Sequence, residues 1–233
     1  MARFARVVVP GIPHHVTQRG NRREPIFFET GDQKVYCNML AEQACRHGVE
    51  VWAYCLMPNH VHLILAPSSV EGLGRVMGET HRRYTSFVNA RARWIGHLFQ
   101  GRYASVAMDE AHLIAAVRYV SLNPVRAGLV GRAEDWAWSS VRAHLSGRDD
   151  GLVRVRPVLD RVEQFAELIA NAAQTGQRHD GTLQALRLSQ TTGRPLGPPD
   201  FVADLERRLG RTLARRGRGR KSAAGSSKQA SLS

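Results

Sequence analysis

The stretch VEVWAYCLMPNHVHLILA, Val49–Ala66, carries the reading of the fold. Val49–Cys55 alternates in polarity and reads as a strand. Met57–Asn59 holds a proline and an asparagine and reads as a turn. His60–Ala66 is β-branched and aliphatic and reads as a second strand. Joined so tightly, the two strands form an antiparallel hairpin. Side chains alternate between the faces of a strand. His60 and His62 therefore share one face, and Val61, Leu63 and Leu65 share the other and enter the core.

Outward from this hairpin the chain alternates strands and helices. Arg6–Val16 is β-rich and leads into TQRGNRR, Thr17–Arg23, a basic loop with a glycine. Thr30–His47 has helical spacing, with Val35, Met39 and Ala44 on one face. Thr30 or Asp32 can cap it, and Gly48 can stop it. Glu71–Arg93 reads as a long helix, Arg102–Met108 as a strand, and Glu110–Leu122 as a helix that Pro124 ends or kinks. The order β-α-β-β-α-β-α predicts an α+β domain with a ferredoxin-like antiparallel sheet and helices on one face. Trp136 and Trp138 are expected to pack its last helix onto the sheet. We place this domain at residues 1–146. Residues 147–213 follow as a mostly helical extension, with helices expected over Val155–Ala173, Leu183–Gln190 and Phe201–Leu213. From residue 210 to the end there are seven basic residues and no acidic ones. Residues 214–233 read as a disordered basic tail.

The chain has 233 residues, with 33 Lys and Arg against 20 Asp and Glu, a formal net charge of +13. With a pI near 10.9, that balance points to a polyanionic partner. Hydrophobic residues make up 43%, which excludes a wholly disordered chain. No apolar run is long enough for a transmembrane helix, and the basic tail lacks apolar residues to insert into a bilayer, so no membrane partner is expected. MARFARVVVPG is a poor signal peptide. Three cysteines, Cys37, Cys45 and Cys55, make no disulfide framework and read as core thiols of a reducing cytosol.

Two segments carry chemistry. In MPNHVHLIL, Met57–Leu65, His60 and His62 sit about 7 Å apart in rise on one strand, a spacing that suits two ligands of one metal. Alone, such a pair reads first as two satisfied strand histidines. In RYVSLNPVRAGLV, Arg118–Val130, Tyr119 and Asn123 are four residues apart and one helical turn from each other. Alone, that segment reads as the end of an amphipathic helix, with Asn123 capping before Pro124. Together they say more. Two imidazoles and an amide oxygen can hold Mg²⁺ or Mn²⁺ against a phosphate, with water completing the shell. A tyrosine beside them can attack the polarised phosphorus. A phenol ionises near pH 10, so the cation or a base must assist.

MPNHVHLI paired with RYVSLNPVRAGLV resembles the HUH single-strand transposases, and most closely the REP-associated tyrosine transposases of bacteria. LFQGRYASVAMDE, Leu98–Glu110, also looks like that family, and the resemblance runs from about Arg6 to Leu145. It implies the HUH endonuclease fold. It implies His60 and His62 as metal ligands, Asn123 as the residue completing the metal site, Mg²⁺ or Mn²⁺ as cofactor, and Tyr119 as the nucleophile. Tyr84 and Tyr103 compete for that last role but lack the helix-plus-NP context. The implied reaction cuts single-stranded DNA with hairpin or palindromic repeats through a 5′-phosphotyrosine link and rejoins it without ATP. No P-loop is present.

The DNA would be held by Arg19, Arg22 and Arg23 in the first loop, Arg82 and Arg83 on the long helix, Arg102 and Arg126. Unpaired bases could stack on Tyr103 or Trp94, although Trp94 reads first as a core aromatic. The expected place is the bacterial cytoplasm, with the nucleoid, and the expected state a monomer or homodimer. Two other readings stand beside this one. An RNA-binding RRM shares the ferredoxin-like sheet but needs sheet-borne aromatics in RNP motifs, and none is found. A domesticated member could bind hairpin DNA or RNA as a regulator without moving it.

Overall fold

The computed structural model describes residues 5–174 and 181–213. The basic tail expected over residues 214–233 lies outside them. Four strands form one antiparallel sheet: β1 (His14–Arg19), β2 (Val49–Met57), β3 (His60–Pro67) and β4 (Ala104–Ala107), in the order β2-β3-β1-β4. Between and after them run helices α1 (Asp32–Arg46), α2 (Gly72–Ala92), α3 (Glu110–Ser121) and the one-turn α4 (Asn123–Arg126). The α+β, ferredoxin-like reading therefore holds, but the helices are not confined to one face: α1 and α2 pack on one side of the sheet and α3 on the other.

The first strand is displaced from its expected place. Val7, Val8 and Val9 are buried but lie outside the sheet, because Pro10 and Pro13 supply no N–H to a ladder. The strand begins at His14 and runs through Thr17, Gln18 and Arg19, which were expected to be loop. Its polar residues thus sit in the middle of the sheet, where Thr17 pairs with His62 on one side and Ala104 on the other.

Both faces of the sheet are buried. Val61, Leu63 and Leu65 join Val16, Tyr54 and Leu56 in a core with Leu40 of α1 and Val76, Met77 and Tyr84 of α2. On the opposite face Ile64, Cys55 and Val106 meet Leu113, Ala116, Val117 and Val120 of α3. These α3 residues recur every three or four positions, the spacing of a helix stripe that faces a sheet. In β2 the alternation breaks between Val51 and Ala53. Trp52 is the extra residue there, so Trp52 and Ala53 both enter the α3-side core.

The extension is built into the same body. The stretch expected as one helix over Val155–Ala173 is two, α6 (Arg156–Leu159) and α7 (Phe165–Gln174), after α5 (Val141–Ser146) and before α8 (Gly181–Thr192) and α9 (Pro199–Leu209). Its loops cover both edges of the sheet. Arg154 N–H donates to Val51 O at 2.8 Å on the β2 edge, and Leu196 N–H donates to Ala107 O at 2.8 Å on the β4 edge. EDWAWSS also lies on β2: Leu56 N–H donates to Trp138 O at 2.8 Å, and Trp136 Nε1 donates to Leu56 O at 3.1 Å. The tryptophans thus seal the edge strand, where unpaired backbone would otherwise recruit other chains.

Candidate active site

The histidine face of β3 lies under α3. This helix starts at an Asp109 cap, whose carboxylate accepts from His112 N–H at 2.9 Å, and ends at Ser121, two residues after Tyr119. The structure brings Tyr119 onto His62, ring edge to ring face, with centroids 5.4 Å apart. His60 and His62 are 4.9 Å apart by ring centroid. His62, Tyr119 and Asn123 are buried, and His60 is partly exposed. The Arg126 guanidinium lies 4.7 Å over the Tyr119 ring, and Arg19 is opposite His60 in the β1–β3 register.

Leu122 leaves helical geometry and Pro124 starts the new turn α4. Asn123 does not cap that turn, and its Nδ2 is buried with no hydrogen-bond partner. The capping role considered for it from sequence is thus not what it does. The other two tyrosines stand elsewhere. Tyr84 is fully buried in the opposite core and donates to Ile26 O at 2.8 Å. Tyr103 is buried, with the Arg6 guanidinium 3.7 Å over its ring.

The turn before His60 orients it. Asn59 Nδ2 donates to Arg23 O at 2.9 Å, so the amide oxygen faces His60, with Nδ1 at 2.6 Å. An amide oxygen only accepts, so His60 carries its proton on Nδ1 and keeps a lone pair on Nε2. The turn backbone is tied to the basic loop as well: Gly20 N–H donates to Asn59 O at 2.8 Å and Ile26 N–H to Pro58 O at 2.9 Å. A Cβ on Gly20 would run into the Glu24 carbonyl oxygen, so the loop closes only with glycine there.

Burial, with Arg19 nearby, pushes His60 down to about 4. Burial, then the neighbouring His15, His60 and Arg19, holds His62 well below the ordinary histidine range. Both imidazoles are therefore neutral at neutral pH, the form that ligates metals. Among the described residues no three His, Cys, Asp or Glu side chains form a metal-binding group. Two neutral imidazoles stand together here, and Asn123, four residues after Tyr119, adds a buried amide; donors of that chemistry fit a divalent cation that keeps positions for water and phosphate.

Sequence reasoning missed His15. It is fully buried on β1, and its Nε2 lies 3.0 Å from His62 Nδ1. The only signal was its membership of the PHHVT segment, which reads as an ordinary strand start.

The arginines divide. Arg22 and Arg23 are exposed on the loop tied to Asn59. Arg82 and Arg83 are not brought to the histidines: α2 packs on the other face, where Arg82 pairs with Glu79 at 2.6 Å and Arg83 with Glu42 at 2.7 Å. Arg102 is exposed beside Tyr103. Trp94, expected in the core, is 53% exposed and meets Phe28 edge-on at 5.2 Å. With Arg22, Pro25 and Ile95 these two line a cavity of about 300 Å³. Among the described residues, the non-glycine residues with positive φ are Arg22, Arg23 and Arg93, all at or next to this cavity.

A family model for the IS200-like transposases matches residues 8–123. This chain carries that domain and belongs to the IS200-like transposase family. A solved REP-associated tyrosine transposase bound to a REP hairpin is similar in fold, with a TM-score of 0.55 and 20% identity over 66% of this chain and 90% of that one. A protein named as a transposase from Deinococcus radiodurans aligns at 22% identity over 51% of this chain and 95% of that one, with a TM-score of 0.37. No curated protein matches the sequence. Among the described residues of this transposase-family chain, no helix is long and apolar enough to cross a membrane.

Proposed function

We propose that this IS200-like chain is a tyrosine transposase of the REP-associated kind, which cleaves and rejoins single-stranded DNA beside a hairpin. The observation that carries the reading is Tyr119 seated on the ring of His62, with His60 alongside. His60 and His62 would hold Mg²⁺ or Mn²⁺ through Nε2, and Asn123 through its amide oxygen. A divalent cation there supplies Lewis-acid polarisation of the scissile phosphate. Tyr119 Oη attacks the phosphorus, an O–P bond to tyrosine forms, and the bond to the 3′-oxygen breaks. The phenolic proton leaves to solvent, and the 3′-oxygen takes one up. The phosphotyrosine keeps the phosphodiester's energy, so another 3′-hydroxyl can reverse the step. The Arg126 guanidinium lies over the Tyr119 ring and would meet the phosphate.

Strand binding would fall to Arg19, Arg22, Arg23, Arg102 and Arg126. The cavity between Phe28 and Trp94 offers aromatic and apolar walls to an unpaired base. The left-handed backbone of Arg22 and Arg23 is the kind of strain that persists at ligand clamps. Arg82 and Arg83, each held by a glutamate, would contribute least. Residues 1–146 would be the transposase domain and 147–213 an extension packed on it. The bacterial cytoplasm, at the nucleoid, is the place this activity implies. Both faces of the sheet are covered, which disfavours the RRM mode of stacking bases on an open sheet.

The test uses purified full-length protein and labelled single-stranded hairpins from repeats flanking its own gene, with Mn²⁺ or with EDTA, on a denaturing gel. A metal-dependent band shifted by the mass of the protein, and absent with Tyr119→Phe, is expected. Tyr119→Phe should still bind the hairpin within about twofold, since it loses one hydroxyl and no charge. Tight binding without a covalent band in the wild type would replace this reading with a binding regulator.

A further inference from the structure

A buried histidine of β1, His15, touches the site without a part in the chemistry above. His15 and His62 lie on adjacent strands. His15 is opposite Ile64 and Thr17 is opposite His62, so the two histidines are diagonal neighbours on one face. Their ring planes are nearly parallel, at 12° with centroids 5.2 Å apart, and the rings meet edge to edge, with His15 Nε2 3.0 Å from His62 Nδ1. Both side chains are buried, at 0% and 4% exposure, so water does not compete for that bond.

A bond between two neutral imidazoles runs in one of two senses. If His15 donated, His62 would carry its own proton on Nε2 and have no lone pair there. If His15 accepts, His62 is the Nδ1–H form and Nε2 is available. The first histidine of the pair shows which sense the site is built for: Asn59 Oδ1 can only accept, so His60 is held in its Nδ1–H form.

We infer that His15 is a positioning residue of the metal site, accepting the Nδ1–H of His62 and so fixing the ring and leaving His62 Nε2 to the cation. This rests on the metal-site reading above. His15 is not itself a ligand, since its Nε2 is turned to His62. Partners of this kind fix the orientation of ligating imidazoles and raise their basicity, and losing one weakens metal affinity about 10–100-fold.

The experiment titrates Mn²⁺ alone into the full chain, following free Mn²⁺ by electron paramagnetic resonance. His15→Phe keeps the ring and removes the acceptor. It should weaken Mn²⁺ about 10–100-fold, while His15→Gln, whose amide oxygen can accept, should recover most of the loss. Hairpin affinity in EDTA should stay within about twofold for both, which a general loss of structure would not allow. Wild-type Mn²⁺ affinity in His15→Phe, with affinity lost in His62→Ala, would overturn the inference and leave the metal site standing. Wild-type affinity in His62→Ala as well would overturn the metal site and the inference with it. Should His15→Phe fail to fold, two-bond ¹⁵N–¹H correlation spectra of the unmutated protein at neutral pH decide the question. His62 protonated on Nδ1 is expected, and His62 protonated on Nε2 overturns the inference.

Discussion

Asn59 links two parts of the site with one side chain. Its Nδ2 holds the carbonyl of Arg23 in the basic loop, and its Oδ1 holds the Nδ1 proton of His60. The MPN turn therefore sets both the direction of a candidate ligand and the position of two exposed arginines, Arg22 and Arg23. His60 is partly exposed and supplies little of the core. Its replacement by alanine should therefore abolish Mn²⁺-dependent covalent capture while lowering folding stability by only about 1 kcal/mol. Urea melts beside the gel assay check both halves. Capture that persists with the same Mn²⁺ dependence would remove His60 from the metal site. At this scale much was legible. The period of two along β3 put His60 and His62 on one face, and the helical period put Tyr119 and Asn123 one turn apart. Trp94 was not legible: an aromatic between Arg93 and Ile95 looks the same in sequence whether it packs inward or lies open.

Between elements, the join of α1 to α2 rests on Asp32. Its carboxylate is buried and takes Arg91 in a two-pronged pair, at 2.6 and 2.9 Å. It also accepts Phe28 N–H at 2.8 Å and Glu29 N–H at 3.0 Å. Burial works against its charge, yet Arg91 and the two amides outweigh it and hold the carboxyl below its usual value. Asp32 was expected to cap a helix. The cap is instead Gly31, with no side-chain capping bond, and Asp32, the first helical residue, folds its carboxylate back on the preceding loop. Asp32→Asn keeps the shape, removes the charge and leaves Arg91 to the more exposed Glu29 carboxylate, at 3.2 Å. It should cost about 2–4 kcal/mol, read as a lower urea midpoint at unchanged slope. The same loop carries Phe28, so Asp32→Asn should also loosen the base-sized cavity.

Over the whole molecule, the extension is what completes the sheet. Beyond Ser146 the chain supplies Val153 and Val155 to one core and Val158, Phe165 and Leu186 to the other. Arg161 pairs with Glu110 of α3 at 2.6 Å. Ending the chain after residue 146 would open the backbone of β2 and β4 and expose those apolar surfaces. Such a truncation should aggregate, or melt more than about 10 °C lower; size-exclusion chromatography and thermal melts of both lengths test this. Acid should also act on the whole fold. His14 is buried, with Nδ1 donating to Ile12 O at 2.7 Å and Nε2 accepting Val9 N–H at 3.3 Å. Both nitrogens are taken in the neutral form, and burial pushes His14 down to about 4. The unfolded chain binds that proton near pH 6.5 and the folded chain does not, so stability present above pH 6.5 falls as the pH drops toward 4. The unfolding free energy from denaturant melts should fall by up to about 2 kcal/mol for this residue between pH 7 and pH 5. A flat profile would mean that His14 is not held neutral.

Taken alone, the sequence determined the order of strands and helices, the basic charge, and which residues share a face within one element. All three follow from local periodicity and composition, which every window of the chain carries. It did not determine what lies across from those faces. That α3 roofs the histidines and seats Tyr119 on His62, that His15 reaches His62 from β1, and that loops of the extension close both edges of the sheet are products of the strand order β2-β3-β1-β4. Strand order is chosen by contacts between residues far apart in the chain. His15 and His62 are 47 positions apart, and no local pattern marks such a pair until the sheet brings it together.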